Sequence, residues 1–144
     1  MLKITTIALS LALPATSVLA KNDKVLSEEY ICETKSYSNI GWIPPKICFA
    51  MDRSSGAAVV YDGYIKEIYG DVIQADLKKR SDDLWEFRWE LKDAHYSNSP
   101  GSTDVEYKAT LNTRKASVNI SAIHSGMDGD ALRGQGKCER GKKK

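Results

Sequence analysis

Residues 84–91, Leu-Trp-Glu-Phe-Arg-Trp-Glu-Leu, constrain the fold of this chain more than any other stretch. Trp85, Phe87, Trp89 and Leu91 share one parity, and the charged residues Glu86, Arg88 and Glu90 fall on the other. This alternation predicts a β-strand with one face in a core and the other in water. The stretch holds two of the three tryptophans and one of the two phenylalanines. We therefore expect the lighter apolar stretches to pack around it.

Short strand patterns recur along the rest of the chain and are separated by turn residues. The dipeptide Asp62-Gly63 predicts a tight hairpin, because both residue types tolerate positive φ. The other candidate strands are residues 30–36, 46–51, 57–61, 64–69, 72–77, 104–112, 116–122 and 134–138. Eight or nine strands joined mostly by hairpin-length turns predict an all-β fold, a small antiparallel up-and-down barrel, with an open β-sandwich as the alternative.

The middle of the chain also permits a helical interpretation. Ile68, Val72, Ile73, Asp76 and Leu77 approximate helical spacing, as do three apolar residues of 84–91. Gly70 and the clean alternation of residues 84–91 favour strands, so strands are the prediction.

The first twenty residues have the pattern of a secretory signal. Lys3 precedes an uncharged and mostly apolar run over residues 4–15, and Val18-Leu19-Ala20 suits a signal peptidase. An uncleaved anchor is the alternative, but the apolar run is shorter than the roughly 20 residues that span a bilayer. We predict a signal peptide at 1–20, a polar leader at 21–29, one β domain at 30–138 and a basic tail at 139–144.

Export predicts an oxidising compartment, where cysteines form disulfides. Spacing alone leaves three pairings open for Cys32, Cys48 and Cys138. In a closed up-and-down sheet the first and last strands are neighbours, so we predict the pair Cys32–Cys138 and a free, largely buried thiol at Cys48. Gly134 and Gly136 would allow the two strands to approach closely. A Cys32–Cys48 bridge between adjacent strands is the alternative.

Four segments in succession resemble a group of small exported bacterial proteins of unassigned function. They are Tyr61-Asp62-Gly63-Tyr64-Ile65, the strand with two tryptophans, Tyr107-Lys108-Ala109-Thr110-Leu111 and Gly134-Gln135-Gly136-Lys137-Cys138. Because these are turn and strand motifs, the resemblance implies an architecture over most of the mature chain and implies no activity.

Few residues suggest catalysis or metal binding. His95 and His124 are the only histidines, and a two-histidine acid–base pair would require the fold to bring them together. Residues 125–130, Ser-Gly-Met-Asp-Gly-Asp, resemble the start of a calcium loop, but the later ligand positions do not follow. We therefore predict no catalytic residues, no metal site and no cofactor.

The aromatic residues Trp42, Tyr61, Tyr64 and Tyr69 could form a binding surface, although aromatics at strand spacing more often pack in a core. We predict a non-enzymatic, exported and periplasmic or secreted barrel that binds a protein or a small molecule. No phosphate-binding loop supports nucleic-acid or nucleotide binding, and no further segment suits a membrane span. The basic tail could contact anionic surfaces.

Two alternative functions remain open. One is a small hydrolase that uses His95 or His124. The other is a protein-binding module similar to the small barrel inhibitors of lysozymes, because Ser55-Gly56 ahead of Tyr61 resembles their Ser-Gly-x-x-Tyr loop at a different spacing.

Overall fold

The computed structural model describes residues 26–97, 99–125 and 129–141. Within these residues the chain forms nine strands and one short helix, α1. The strands are β1 (Glu28–Ser36), β2 (Lys46–Asp52), β3 (Ala57–Asp62), β4 (Ile73–Gln74), β5 (Asp76–Lys79), β6 (Leu84–His95), β7 (Ser102–Asn112), β8 (Ser117–His124) and β9 (Leu132–Arg140), and α1 is Gly63–Tyr69. None of the helical segments described is long and apolar enough to cross a membrane.

All nine strands belong to one antiparallel sheet in the order β4-β3-β2-β1-β9-β8-β7-β6-β5. The two edge strands follow each other in the chain and are joined by Ala75 alone. Its backbone N–H donates to the carbonyl of Ala58 at 3.0 Å. The sheet therefore curls into a nearly closed barrel, which confirms the predicted fold class.

Large side chains fill the barrel. The rings of Phe49 and Phe87 lie 4.8 Å apart, Phe49 meets Trp89 edge-on at 5.9 Å, and Trp89 stacks on Tyr107 at 5.1 Å. All four residues are buried, as are Trp85 and Leu91. The alternation in residues 84–91 thus identifies the strand at the centre of the core, where burial of aromatic area supplies much of the driving force.

The prediction of a hairpin at Asp62-Gly63 and a strand over 64–69 is wrong, because this segment forms α1. Asp62 is the N-cap, and its Oδ1 accepts a hydrogen bond from the Ile65 N–H at 2.9 Å. Gly70 ends the helix with φ of 73°. An aspartate before the first turn and a left-handed glycine after the last are the usual signals of helix ends. Ile65 packs into the core from α1.

Several predicted boundaries also shift. β1 begins at Glu28, inside the predicted polar leader, because Glu28 pairs with Met51 of β2. The stretch 72–77 divides between β4 and β5. β9 extends from 132 to 140 and so includes the first two residues of the predicted basic tail. The predicted signal peptide, residues 21–25 and residues 142–144 lie outside the described residues.

The cysteine pairing is confirmed. Cys32 of β1 and Cys138 of β9 are paired in register, and their Sγ atoms are 2.06 Å apart. A Cβ at Gly136 would overlap the Glu33 carbonyl oxygen, so this glycine permits the close approach of β1 and β9. Cys48 has no disulfide partner, but its thiol is half-buried instead of largely buried. It projects from the outer face of β2.

One end of the barrel, here called the Arg53 end, carries an ion pair between the buried Glu28 carboxylate and the partly exposed Arg53. Arg53 donates to both carboxylate oxygens of Glu28, at 2.6 and 3.0 Å. Its guanidinium lies 5.3 Å from the ring centroid of Trp85. Burial alone would raise the pKa of the Glu28 carboxyl. The hydrogen bonds and charge of Arg53, together with the Tyr30 hydroxyl and the charge of Arg140, outweigh that effect and lower the pKa.

A second buried carboxylate, Glu86, lies on the outer face of β6. It accepts hydrogen bonds from Arg80 at 2.7 Å and Arg88 at 3.0 Å, and Lys108 Nζ lies 3.8 Å away. Burial would raise the pKa of Glu86, but the two arginines lower it to about 2. These long side chains hold one carboxylate between three cations.

Candidate functional site

The opposite end of the barrel, here called the Trp42 end, is where the connections gather. The β1–β2 loop (37–45), α1 and the described residues of the β6–β7 connection (96–97 and 99–101) all lie here, because consecutive antiparallel strands turn alternately at the two ends. Loops on a rigid sheet scaffold are common positions for binding residues.

Trp42 lies at the centre of this end, in an unusual backbone conformation. Its φ is 103°, a value that is costly for a bulky residue. Two tyrosines hold it there. The Trp42 N–H donates to the hydroxyl of Tyr64 at 3.2 Å, and its carbonyl accepts from the hydroxyl of Tyr107 at 2.6 Å. Because these tyrosines come from α1 and β7, the conformation is fixed by tertiary structure.

Further rings surround the Trp42 indole. Its centroid lies 6.0 Å from that of Tyr64, 5.9 Å from Tyr96 and 6.2 Å from His124. The indole is only 8% exposed. Aromatic pairs at these tilted and edge-on geometries add stabilisation beyond their burial, so the four rings form a packed cluster.

A pocket of about 450 Å³ adjoins this cluster between α1 and the end of β6. Its walls are aromatic and aliphatic, and its rim is charged. We call it the Trp42 pocket. It is lined by Trp42, Tyr64, Glu67, Ile68, Tyr69, Lys92, Asp93, Ala94 and His95. Its volume falls within the roughly 300–1,000 Å³ range of small-molecule sites.

The pocket exists because the sheet does not close fully at this end. β5 pairs with β6 only at residues 85–88, so the remainder of β6 toward His95 pairs with β7 alone. Helix α1 fills the gap. The Tyr69 hydroxyl accepts a hydrogen bond from the Lys92 N–H at 3.0 Å, which ties α1 to this strand edge.

A β-bulge shapes the wall of the pocket formed by β6. The pairing of β6 with β7 shifts register between Leu91 and Ala94. Asp93 has a φ of 53°, and its N–H donates to Oδ1 of Asp104 at 3.0 Å. Bulges re-aim side chains and are common beside functional sites. Here the bulge brings Lys92, Asp93 and His95 to the pocket rim.

The rim carries uncompensated negative charge. The Lys92 ammonium lies 2.7 Å from a Glu90 carboxylate oxygen and 3.5 Å from one of Asp104, and its hydrogen bond with Glu90 raises its pKa. Glu67 and Asp93 form no ion pair with any residue in the described part of the chain. The one lysine of the pocket is therefore neutralised, and two carboxylates are not.

Two buried polar atoms have no hydrogen-bond partner among the described residues, Oδ2 of Asp62 and Nε1 of Trp89. Burial raises the pKa of the Asp62 carboxyl, although the Ile65 and Tyr64 N–H groups oppose this effect. Burial also raises the pKa of the Tyr107 hydroxyl, and the charges of Asp62 and Tyr64 add to it. Asp62 thus keeps a buried carboxyl group at the N-terminus of α1.

Three of the four predicted surface aromatics meet at the pocket, Trp42, Tyr64 and Tyr69. Tyr61 does not, because it projects from the outer face of β3 opposite Cys48. Tyr96, Glu67 and the bulge at Lys92–Asp93 were not predicted from the sequence. The only sequence signal for the bulge is the charged pair Lys92-Asp93, where the alternation of β6 ends.

Both histidines lie at the Trp42 end. His95 lines the pocket, and the ring of His124 packs near Trp42. His124 Nδ1 lies 3.2 Å from the carbonyl oxygen of Ser125. No group of three His, Cys, Asp or Glu side chains in the described ranges could hold a metal ion. Residues 126–128 of the calcium-like stretch lie outside those ranges.

A second depression, of about 790 Å³, runs over the outer faces of β6–β9. Charges of both signs line it, including Arg88, Glu106, Lys108 and Arg133, and Tyr37 borders it. None of the non-glycine residues with positive φ in the described chain lines this groove. It has the polar character of an ordinary solvated sheet face, and the Trp42 pocket is the stronger candidate site although it is smaller.

Comparisons with known proteins identify no relative, since no family model, no curated protein and no solved structure matches this chain.

Proposed function

We propose that this chain is an exported, non-enzymatic binding domain that holds part of its ligand in the Trp42 pocket. One observation carries the proposal. Three non-glycine residues have positive φ in the described chain, and two of them, Trp42 and Asp93, line this pocket. Strained backbone persists where the surrounding structure over-determines it, and such residues cluster at ligand sites.

The pocket is also pre-organised. Hydrogen bonds from Tyr64 and Tyr107 fix the Trp42 backbone, and the Tyr69 hydroxyl fixes the strand edge at Lys92. A site that is already ordered loses less conformational entropy on binding, which favours affinity. Because the barrel interior is filled by aromatic rings, the ligand would bind at the mouth of the barrel and not inside it.

Export is part of the proposal. It rests on the signal-like pattern of residues 1–20, and the disulfide Cys32–Cys138 is consistent with an oxidising compartment. The intact mass of the protein recovered outside the cytoplasm tests it. We expect a chain that begins at Lys21, and a mass that retains residues 1–20 would contradict cleavage.

Binding at the pocket can be tested with matched tyrosine variants. Tyr69 is 41% exposed at the pocket, whereas Tyr37 is 64% exposed and borders the other groove. A library of small metabolites and sugars would be screened against ¹⁵N-labelled exported chain by the shifts of its indole N–H signals. For any ligand that shifts the Trp42 indole signal, Tyr69→Ala should reduce the binding affinity by tenfold or more. Tyr37→Ala should leave that affinity unchanged. Equal losses in both variants would contradict the site.

A hydrolase that uses His95 or His124 is a second candidate, favoured by the convergence of both histidines on the Trp42 end. The test measures turnover of ester and phosphodiester substrates by the wild type and by the His95→Ala and His124→Ala variants. If the wild type is active and either substitution abolishes that activity, a hydrolase is supported over a binding domain.

A lysozyme-inhibitor-like module is a third candidate, and it predicts a partner at the turn containing Ser55-Gly56. That turn lies at the Arg53 end, away from the pocket. The hydroxyls of Ser54 and Ser55 donate to the two carboxylate oxygens of Asp52, each at 2.9 Å. This candidate would be favoured if the wild-type protein inhibits a lysozyme, the Ser55→Ala variant does not, and the Tyr69→Ala variant inhibits as well as wild type.

A further inference from the structure

We propose that the Trp42 pocket recognises an organic cation, a small molecule that carries an ammonium group. This inference rests on the proposed binding function and specifies the chemistry of the ligand.

The aromatic walls provide the first part of the recognition. Trp42, Tyr64 and Tyr69 line the pocket together. Indole and phenol rings carry negative potential on their faces, so they attract cations that approach within about 6 Å, and tryptophan does so most strongly. Quaternary ammonium groups are recognised in this way by aromatic cages.

The rim charges provide the second part. The Lys92 ammonium already forms ion pairs with Glu90 and Asp104. A neutral or anionic ligand would therefore lie near the carboxylates of Glu67 and Asp93 without neutralising their negative charge. The electrostatics of the rim therefore select positive ligands and disfavour phosphates and carboxylates.

The third part is shape. The pocket is an open depression of about 450 Å³ beside a packed ring cluster, so it can take a compact cationic group while the rest of the ligand stays outside. Asp93 reaches the rim only because of the β-bulge and its φ of 53°. The same irregularity that shapes the pocket thus positions one of the two carboxylates.

The test uses choline and its neutral isostere 3,3-dimethylbutan-1-ol, in which carbon replaces the charged nitrogen. Binding of each to the exported chain would be followed by the Trp42 indole signal at low salt. We expect choline to bind at least tenfold more tightly than the isostere. The double variant Glu67→Gln/Asp93→Asn should reduce choline affinity by at least tenfold and leave the isostere unaffected.

Asp71→Asn is the matched control, because Asp71 is exposed and lies just after α1 but does not line the pocket. It should leave choline binding unchanged. Asparagine tolerates positive φ well, so the Asp93→Asn change should preserve the bulge, and thermal unfolding of each variant checks this.

The outcomes separate this inference from the binding function. Equal binding of choline and its isostere, or a pocket that shifts only with neutral sugars, would overturn cation recognition and retain the pocket as a binding site. If no compound in the library shifts the Trp42 indole, both proposals fail.

Discussion

The disulfide Cys32–Cys138 should contribute much of the stability of this barrel. The bond joins the first and last strands over a sequence separation of 106 residues. Cross-linking residues so far apart removes many conformations from the unfolded chain. In the folded chain the two cysteines are already paired in register. The perturbation is the double change Cys32→Ala/Cys138→Ala, compared with wild type under oxidising and reducing conditions.

The magnitude follows from the length of the closed loop. For a loop of 106 residues the chain-entropy relation gives about 16 cal/mol/K, or about 4.8 kcal/mol at 25 °C. A typical small domain has a free energy of unfolding of about 5–15 kcal/mol. With an unfolding entropy of about 2.1 cal/mol/K per residue, a loss of this size lowers Tm by roughly 15–20 °C for a chain of about 120 residues.

Urea unfolding followed by tryptophan fluorescence provides the assay. The double variant should lose about 4–5 kcal/mol, and its m value should rise because the unfolded chain without the cross-link exposes more surface. Wild type under reducing conditions should lose a similar amount, which separates the cross-link from the change in side-chain volume. Cys48→Ala is the control, since its thiol is half-buried and unbonded, and it should cost less than about 1 kcal/mol. A loss below about 1.5 kcal/mol in the double variant would refute the reasoning.

Three further predictions concern single residues. Because the pKa of Glu86 is lowered from 4.5 to about 2, its stabilisation should be complete above pH 4.5 and disappear as the pH falls toward 2. Acid unfolding of Glu86→Gln should therefore show a shallower slope than that of the surface variant Glu139→Gln, and equal slopes would contradict this. Gly136→Ala should destabilise by about 1–3 kcal/mol in urea unfolding, since a Cβ there overlaps the backbone of β1, whereas Gly63→Ala at the open first turn of α1 should be neutral or stabilising. Burial raises the pKa of Asp62, so its ionisation costs stability as the pH rises above 3.8. Asp62→Asn, which preserves the N-cap, should gain Tm relative to wild type at pH 8 and little at pH 3, and a gain that does not depend on pH would be contrary to this.

The alternation of apolar and polar residues predicted the barrel, because successive side chains of each strand in this sheet point alternately into the core and into water. Residues 84–91 are the clearest case, since the inward parity of Trp85, Phe87 and Trp89 is buried throughout. The disulfide was predicted mainly from topology, because closure makes the first and last strands neighbours. Helix α1 was missed because Asp62-Gly63 suits both a hairpin and a helix start. Tertiary structure favours the helix over the hairpin, because the helix buries Ile65 in the core.

The candidate site could be predicted only in part, for a physical reason. Its aromatic residues are visible in the sequence, but their assembly depends on features without a local code. Trp42 holds its conformation through hydroxyls of Tyr64 and Tyr107, which are 22 and 65 residues away. The charge of the rim depends on the ion pairs that Lys92 forms with Glu90 and Asp104. The register of β6 and β7 determines whether those ion pairs form. A pocket formed where a sheet fails to close is a property of the whole barrel, so its ligand preference has to be derived from the folded geometry.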